Sequence, residues 1–170
     1  GESFAKELIP FKEHIEEVYF AWPDMPSGRS IMNDDRGEKF FEAQSYLEND
    51  LELLSQNGIK LNLLLNASCY GDDAISIRLQ NTVCSTISHI EEFATLNSVT
   101  TTSPYLASIV KQYFPKIEVR ASINMRIGTK KGISYLCDLF DGFYLQREFN
   151  RDFDKIKEIK EFCKSKGKKL

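Results

Sequence analysis

Histidine is scarce in this chain, with only His14 and His89 among 170 residues. Neither lies near an expected strand end, so a serine such as Ser122 has no imidazole to activate it and a serine triad is unsupported. No Gly-x-Ser-x-Gly or His-Glu-x-x-His motif occurs. The four cysteines (Cys69, Cys84, Cys137 and Cys163) are far apart and form no Cys-x-x-Cys pair. They read as reduced thiols of a cytoplasmic protein, with neither disulfides nor a metal site supported. No apolar run approaches the roughly 18 residues that span a bilayer, so no membrane partner is expected. An excess of one charge is missing too. With 22 Lys and Arg against 25 Asp and Glu, the net charge of -3 gives no general attraction for nucleic acid or anionic lipid.

What the chain does contain is a regular alternation. Short β-rich runs are followed by helical patterns, beginning with "IEEVYFAW" from Ile15 to Trp22. A polar loop with Pro23, Pro26, Gly28, Asp34 and Asp35 leads to a helix with Phe40, Ala43, Leu47, Leu51 and Leu54 on one face. Gly58 stands where a helix C-terminal glycine belongs. A second strand is expected from Lys60 to Ala67, then a helix with Ile75, Leu79, Val83, Ile87 and Ile90, capped by Asp72 or Asp73. "SVTTT" is the third strand, and Ser103-Pro104 is a cap with proline at the first helical position. The fourth strand runs from Ile117 to Ile123, and Thr129 caps the helix bearing Ile133, Leu136, Cys137 and Phe140. "FYLQREF" (Phe143 to Phe149) is the fifth strand, followed by a helix with Ile156, Ile159, Phe162 and Cys163 that ends at Gly167. "KKL" then opens a sixth strand.

Strict β–α alternation implies parallel strands with crossover helices, in an open doubly wound sheet or in part of a (β/α)8 barrel. Strands covered on both sides should be almost continuously hydrophobic. Here they are two-faced. Leu61, Leu63 and Leu65 alternate with Asn62, Leu64 and Asn66, and Val119 and Ala121 alternate with Glu118, Arg120 and Ser122. This favours a partial TIM-like (β/α) barrel with about five parallel strands, its polar sides lining a wet, ligand-accessible lumen. Residues 1–170 form one α/β domain in this reading, the first portion of a barrel whose further strands follow.

Ligands of such folds bind at the carboxyl ends of the strands. That selects the loop from Asp24 to Arg36, Asn66 and Ser68, Thr102, Ser122, Asn124 and Arg126, and Gln146, Arg147 and Glu148. Glu148 and Arg120 share the expected lumen side and could pair or clamp a polar substrate. Alternation along "FYLQREF" sends Glu148 to the pocket mouth and turns Arg147 toward the helices. Gly128-Thr129-Lys130-Lys131-Gly132 lacks the spacing of a phosphate loop.

These stretches resemble a known family. "EEVYFAWPDMPSGRSIMND" is similar to the first strand and loop of peptidase family U32, in which a D-x-V-Y-x-G strand precedes an arginine. "GIKLNLLLNAS" resembles its second strand, which ends in asparagine. "TTSPYLASIVKQYFPKIEVRASINMR" resembles the stretch that closes on S-x-Q-x-N, and "GFYLQREF" resembles R-x-x-L-S-R-E-L. The matching residues are Arg29, Asn66, Ser122, Arg147 and Glu148. Ala21 and Trp22 replace a glycine pair, Asn124 replaces a glutamine and Arg126 replaces an asparagine.

The resemblance implies a TIM-like barrel acting on a peptide or protein substrate by collagenase-like proteolysis. In other members it implies hydroxylation of tRNA or ubiquinone, with an iron–sulfur cluster on cysteines beyond strand six. None of the four cysteines here matches those, so no cofactor is expected in this segment. On this basis Glu148 is the candidate catalytic group, and Arg29, Asn66, Arg120, Ser122, Asn124, Gln146 and Arg147 are candidates for substrate binding. A binding half-barrel without chemistry is the competing expectation. Open edges on strands one and five lead to the expectation of a homo-oligomer.

Overall fold

The computed structural model describes residues 3–23, 25, 27–28 and 38–170. Arg29 and the loop acids Asp34 and Asp35 lie outside the described residues. Five strands form one parallel sheet: β1 (Glu17–Phe20), β2 (Lys60–Leu65), β3 (Leu96–Thr101), β4 (Glu118–Ala121) and β5 (Gly142–Phe143). Their order in space is their order in sequence. A doubly wound sheet reverses direction at a switch point, and this one does not. Successive right-handed crossovers in one direction put all the connecting helices on the same face, as in a barrel.

The connecting helices are α2 (Glu38–Gln56), α3 (Ile77–Glu91), α4 (Pro104–Tyr113) and α5 (Lys130–Leu136), with α6 (Phe153–Ser165) after β5. Between them and the sheet lies the core. Leu61, Leu63, Leu65, Val99, Val119 and Ala121 are buried from the strands. Leu51, Leu54, Val83, Ile87, Ile90, Leu106, Val110, Ile133 and Ile159 meet them from the helices. Fully burying one such side chain contributes about 1.5–3 kcal/mol.

Two expected caps are in place. Ser103 Oγ accepts from Leu106 N–H at 3.3 Å ahead of Pro104, and Thr129 Oγ1 accepts from Gly132 N–H at 3.0 Å. The α3 cap is different. Ser76 Oγ accepts from Leu79 N–H at 3.0 Å, while Asp72 and Asp73 sit in a 3-10 turn upstream and Asp73 pairs with Arg78. Ile75 therefore precedes the helix and is exposed instead of lying on its apolar face. On α2, Leu51 and Leu54 are buried, Leu47 is half-buried and Ala43 is exposed. This helix of 19 residues is about 28 Å long and outruns the six-residue strand beside it.

The first segment carries structure that the strand pattern does not announce. A short helix α1 (Phe4–Leu8) is capped by Ser3, whose hydroxyl donates to Asp50 of α2. A 3-10 turn (Ile9–His14) then feeds β1, which starts later than expected. At the other end, where a sixth strand was expected, Lys169 forms an isolated parallel bridge with Gly142. Phe143 N–H donates to Lys169 O at 3.1 Å, and Lys169 N–H donates to Asp141 O at 3.0 Å. Among the described residues no helix is long and apolar enough to cross a membrane.

Candidate functional site: a filled lumen and a charged mouth

The face of the sheet opposite its connecting helices carries the polar halves of the strands. Arg120 on β4 donates from Nη1 to Glu17 Oε1 on β1 at 2.6 Å and from Nε to Glu118 Oε1 at 2.9 Å. It also donates to the Tyr144 hydroxyl at 3.2 Å. Asn62 Nδ2 and Ser98 Oγ donate to the two Glu17 oxygens at 3.0 and 3.1 Å, and Thr100 Oγ1 donates to Asn62 Oδ1 at 3.0 Å. Lys169 closes the set on Glu118 Oε2 at 2.6 Å.

This network measures the curvature of the sheet. Three strand spacings separate β1 from β4, about 14 Å on a flat sheet. A 2.6 Å bond between side chains standing on the same face requires the sheet to curl toward that face. The contact is also diagonal. Tyr19, Asn62, Ser98 and Glu118 lie at one level of the ladder, and Arg120 and Glu17 depart from it in opposite directions. Tilted, staggered barrel strands produce such diagonals.

The lumen face is polar as expected, but its groups are turned on one another. Burial works against the Arg120 charge, and the bonds to Glu118, Glu17 and Tyr144 outweigh it, so its pKa moves further up. Burial likewise opposes the Glu118 carboxylate, and Arg120 and Lys169 overcome this and hold its pKa below the usual value. Among the described residues no buried side-chain polar atom lacks a partner. Arg120 is thus engaged by Glu17 and Glu118, and Glu148 pairs with Arg126 instead, so of the two arrangements open to Arg120 and Glu148 a direct pair is not formed. Glu17 and Lys169 were missed as lumen partners. The alternation of Glu17 and Tyr19 with Val18 and Phe20 was the available signal.

Above the lumen, at the carboxyl ends of the strands, the loops interlock. Asn66 Oδ1 accepts from Gly28 N–H at 2.8 Å, and Asn124 Nδ2 donates to Asn66 O at 3.1 Å. A Cβ on Gly28 would stand 3.4 Å from both Asn66 Oδ1 and Asn124 Nδ2, so the chain passes closely there. Ser122 is buried, and its Oγ accepts from Asn124 N–H at 3.2 Å. Tyr70, which no sequence signal marked, bonds the carbonyl of Leu65 and reaches Thr102 Oγ1 at 3.1 Å.

The fifth strand ends at Phe143, well before the charged pair, and Arg147–Phe149 is a 3-10 turn. Strand alternation does not extend that far, so Arg147 is not turned to the helix side. Arg147 and Glu148 line the same pocket with Ser68, Ile123, Asn124 and Arg126, a concavity of about 300 Å³. Arg126 reaches across from the β4 loop to pair with Glu148. Arg126 takes φ 53°, the left-handed region that side chains seldom adopt, and donates its N–H to Ile123 O at 3.1 Å. Such backbone is retained where its surroundings over-determine it.

The surroundings here are tight. Gln146 N–H donates to Ile127 O at 3.3 Å, joining the β5 and β4 loops. A Cβ on Gly128 would lie 2.8 Å from Gln146 Oε1 and closer still to the Phe149 ring. Asn124, Arg126, Arg147 and Glu148 are therefore brought together at one mouth. Asn66, Ser122 and Gln146 build the frame beneath it, and Arg120 stands apart in the lumen.

The four thiols do not fit a metal or iron–sulfur centre. Cys69 is on the β2 loop, Cys84 on α3, Cys137 after α5 and Cys163 within α6. Among the described residues, no three His, Cys, Asp or Glu side chains gather as a metal site would need. Burial pushes the Cys84 thiol up, and burial with the neighbouring Cys137 does the same to Cys163, which suits inert core thiols.

The geometry defines a class: a curved parallel α/β sheet of barrel type, with helices outside and a polar mouth at the strand ends. Among solved structures it is similar to the U32 peptidase Mk0906, with a TM-score of 0.68 over 86% of this chain and 14% sequence identity. The chain covers 56% of that protein, and the likeness shows the fold. No family model and no curated protein matches the chain.

Proposed function

We propose that this chain is the N-terminal barrel segment of a U32-like peptidase and that its mouth binds a peptide or protein substrate. The observation carrying this reading is the pocket where Asn124, Arg126, Arg147 and Glu148 converge at the carboxyl ends of the strands. Ligands of barrel folds bind at that end. A peptide backbone offers carbonyls to the guanidinium and amide donors, and its amides offer protons to Glu148. In hydrolysis by the whole protein, Glu148 is the carboxylate assigned to proton transfer, with Arg126 fixing its position. Asn66, Ser122 and Gln146 then act as positioning residues, and the assignment of Arg120 to substrate binding is withdrawn because its donors serve Glu17, Glu118 and Tyr144.

A second reading, a binding barrel without chemistry, is favoured by one observation. Glu148 is already held in an ion pair at the exposed rim. One experiment separates the two. The full-length protein carrying this chain is incubated with a mixed peptide library, and new termini are read by mass spectrometry. Cleavage that falls by about 100-fold or more in Glu148→Gln, with peptide binding retained, supports the enzyme reading. Cleavage at the wild-type rate in that variant overturns the role of Glu148. Binding without cleavage in the wild type selects the second reading.

A further inference from the structure

We infer that the mouth recognises a carboxylate of its ligand, with Arg147 as the anchoring guanidinium and Arg126 as the second. This rests on the peptide-binding reading above and goes beyond it by naming the chemical group recognised. The pocket is lined by two guanidinium groups and one carboxylate, in a chain whose net charge is -3. The carboxylate is already engaged, since Glu148 pairs with Arg126. Among the described residues no ion pair to Arg147 is found, although Arg147 lines the same concavity and is exposed. The local excess is therefore one positive charge, carried by the side chain whose planar fork suits two-point binding of a carboxylate.

The two guanidiniums come from different loops, and the structure ties those loops together. The Gln146 to Ile127 hydrogen bond and the close passage at Gly128 join them, and the left-handed backbone of Arg126 turns that residue toward Glu148. Loops joined in this way hold the donors ready before the ligand arrives, which lowers the ordering cost of binding. At about 300 Å³ the pocket is at the small end of ligand sites and suits one or two residues of a peptide. A nucleic acid would place a run of phosphates against a chain of net negative charge, which opposes a polyanion while leaving a single carboxylate favourable.

A carboxylate can come from an acidic side chain or from a peptide's C-terminus, and the test distinguishes them. Three peptides of equal length are titrated into the full-length protein by calorimetry. One has a free C-terminus and no acidic side chain, one is amidated with a central glutamate, and one is amidated with glutamine there. One of the first two is expected to bind about tenfold tighter than the third, the scale of one charge-assisted contact, and which one it is names the source. Arg147→Gln should erase that preference at an unchanged melting temperature, and Arg147→Lys should restore only part of it. Equal binding of all three peptides, or a preference surviving Arg147→Gln, overturns the inference while leaving the peptide-binding reading intact. Failure of all three to bind overturns both. A single-stranded RNA oligonucleotide binding more tightly than any of the peptides would also overturn it.

Discussion

Arg120 and Arg126 lie close together in sequence, one inside β4 and the other on the loop that follows it. Their surroundings are opposite. The Arg120 side chain is 18% exposed and held by two carboxylates and a tyrosine, whereas that of Arg126 is 70% exposed and held by one. Arg120 helps to keep the sheet curled, while Arg126 stands at the rim of a cavity. A polar strand face thus supports two inferences. Where its groups satisfy one another it is part of the structure, and where the strand ends release them they become available to a ligand.

The largest expected effect falls on the lumen. Arg120→Met leaves Glu17 and Glu118 without their shared cation, and removing one partner from a largely buried ion network costs about 3 kcal/mol. Urea unfolding should show that loss as a lowered midpoint. A change within about 0.5 kcal/mol would mean that the network carries little of the curvature.

The junction between the two regions comes next. Gly128→Ala forces a methyl group against Gln146 and Phe149, an overpacking of about 1–3 kcal/mol. It should also weaken peptide binding, because the loops bearing Arg126 and Arg147 are moved apart. Stability and binding measured on the same variant check both parts.

The smallest effect lies outside both regions. His89 on α3 is hydrogen-bonded to Glu48 on α2, with Glu92 beside it and the Trp22 and Phe93 rings against it. The Glu48 bond raises the His89 pKa, burial opposes this, and the charges of Glu48 and Glu92 add to the rise. The stabilisation is therefore full below the unfolded value of about 6.5 and is lost as pH rises through the raised folded value. The pair is partly exposed, so His89→Gln should remove a pH-dependent contribution of no more than about 1 kcal/mol. Unfolding curves between about pH 6 and pH 8 measure it, and a variant whose pH slope equals the wild type's would refute the assignment.

Much of the fold was legible in the sequence because its signals are local. Alternating strands, the Ser103-Pro104 start of α4, the Thr129 cap and Gly58 with φ +79° after α2 all depend on neighbouring residues. The polar lumen face was legible too. What it contains was not, because the bond from Glu17 to Arg120 joins residues 103 positions apart and depends on the curl of the sheet. The mouth was half legible. Strand ends supplied Asn124, Arg126, Arg147 and Glu148, but extending the alternation past Phe143 turned Arg147 the wrong way. The chain had already entered a 3-10 turn there, which brings adjacent charges to one cavity.

The most direct test of this contrast is calorimetric titration of the preferred acidic or free-carboxylate peptide into Arg120→Met and Arg147→Gln, each held well below its melting temperature. Near wild-type affinity in Arg120→Met, with about tenfold weaker binding in Arg147→Gln, is the expected result. Weakened binding in Arg120→Met alone, or equal losses in both, would contradict the separation of a structural lumen from a ligand-binding mouth.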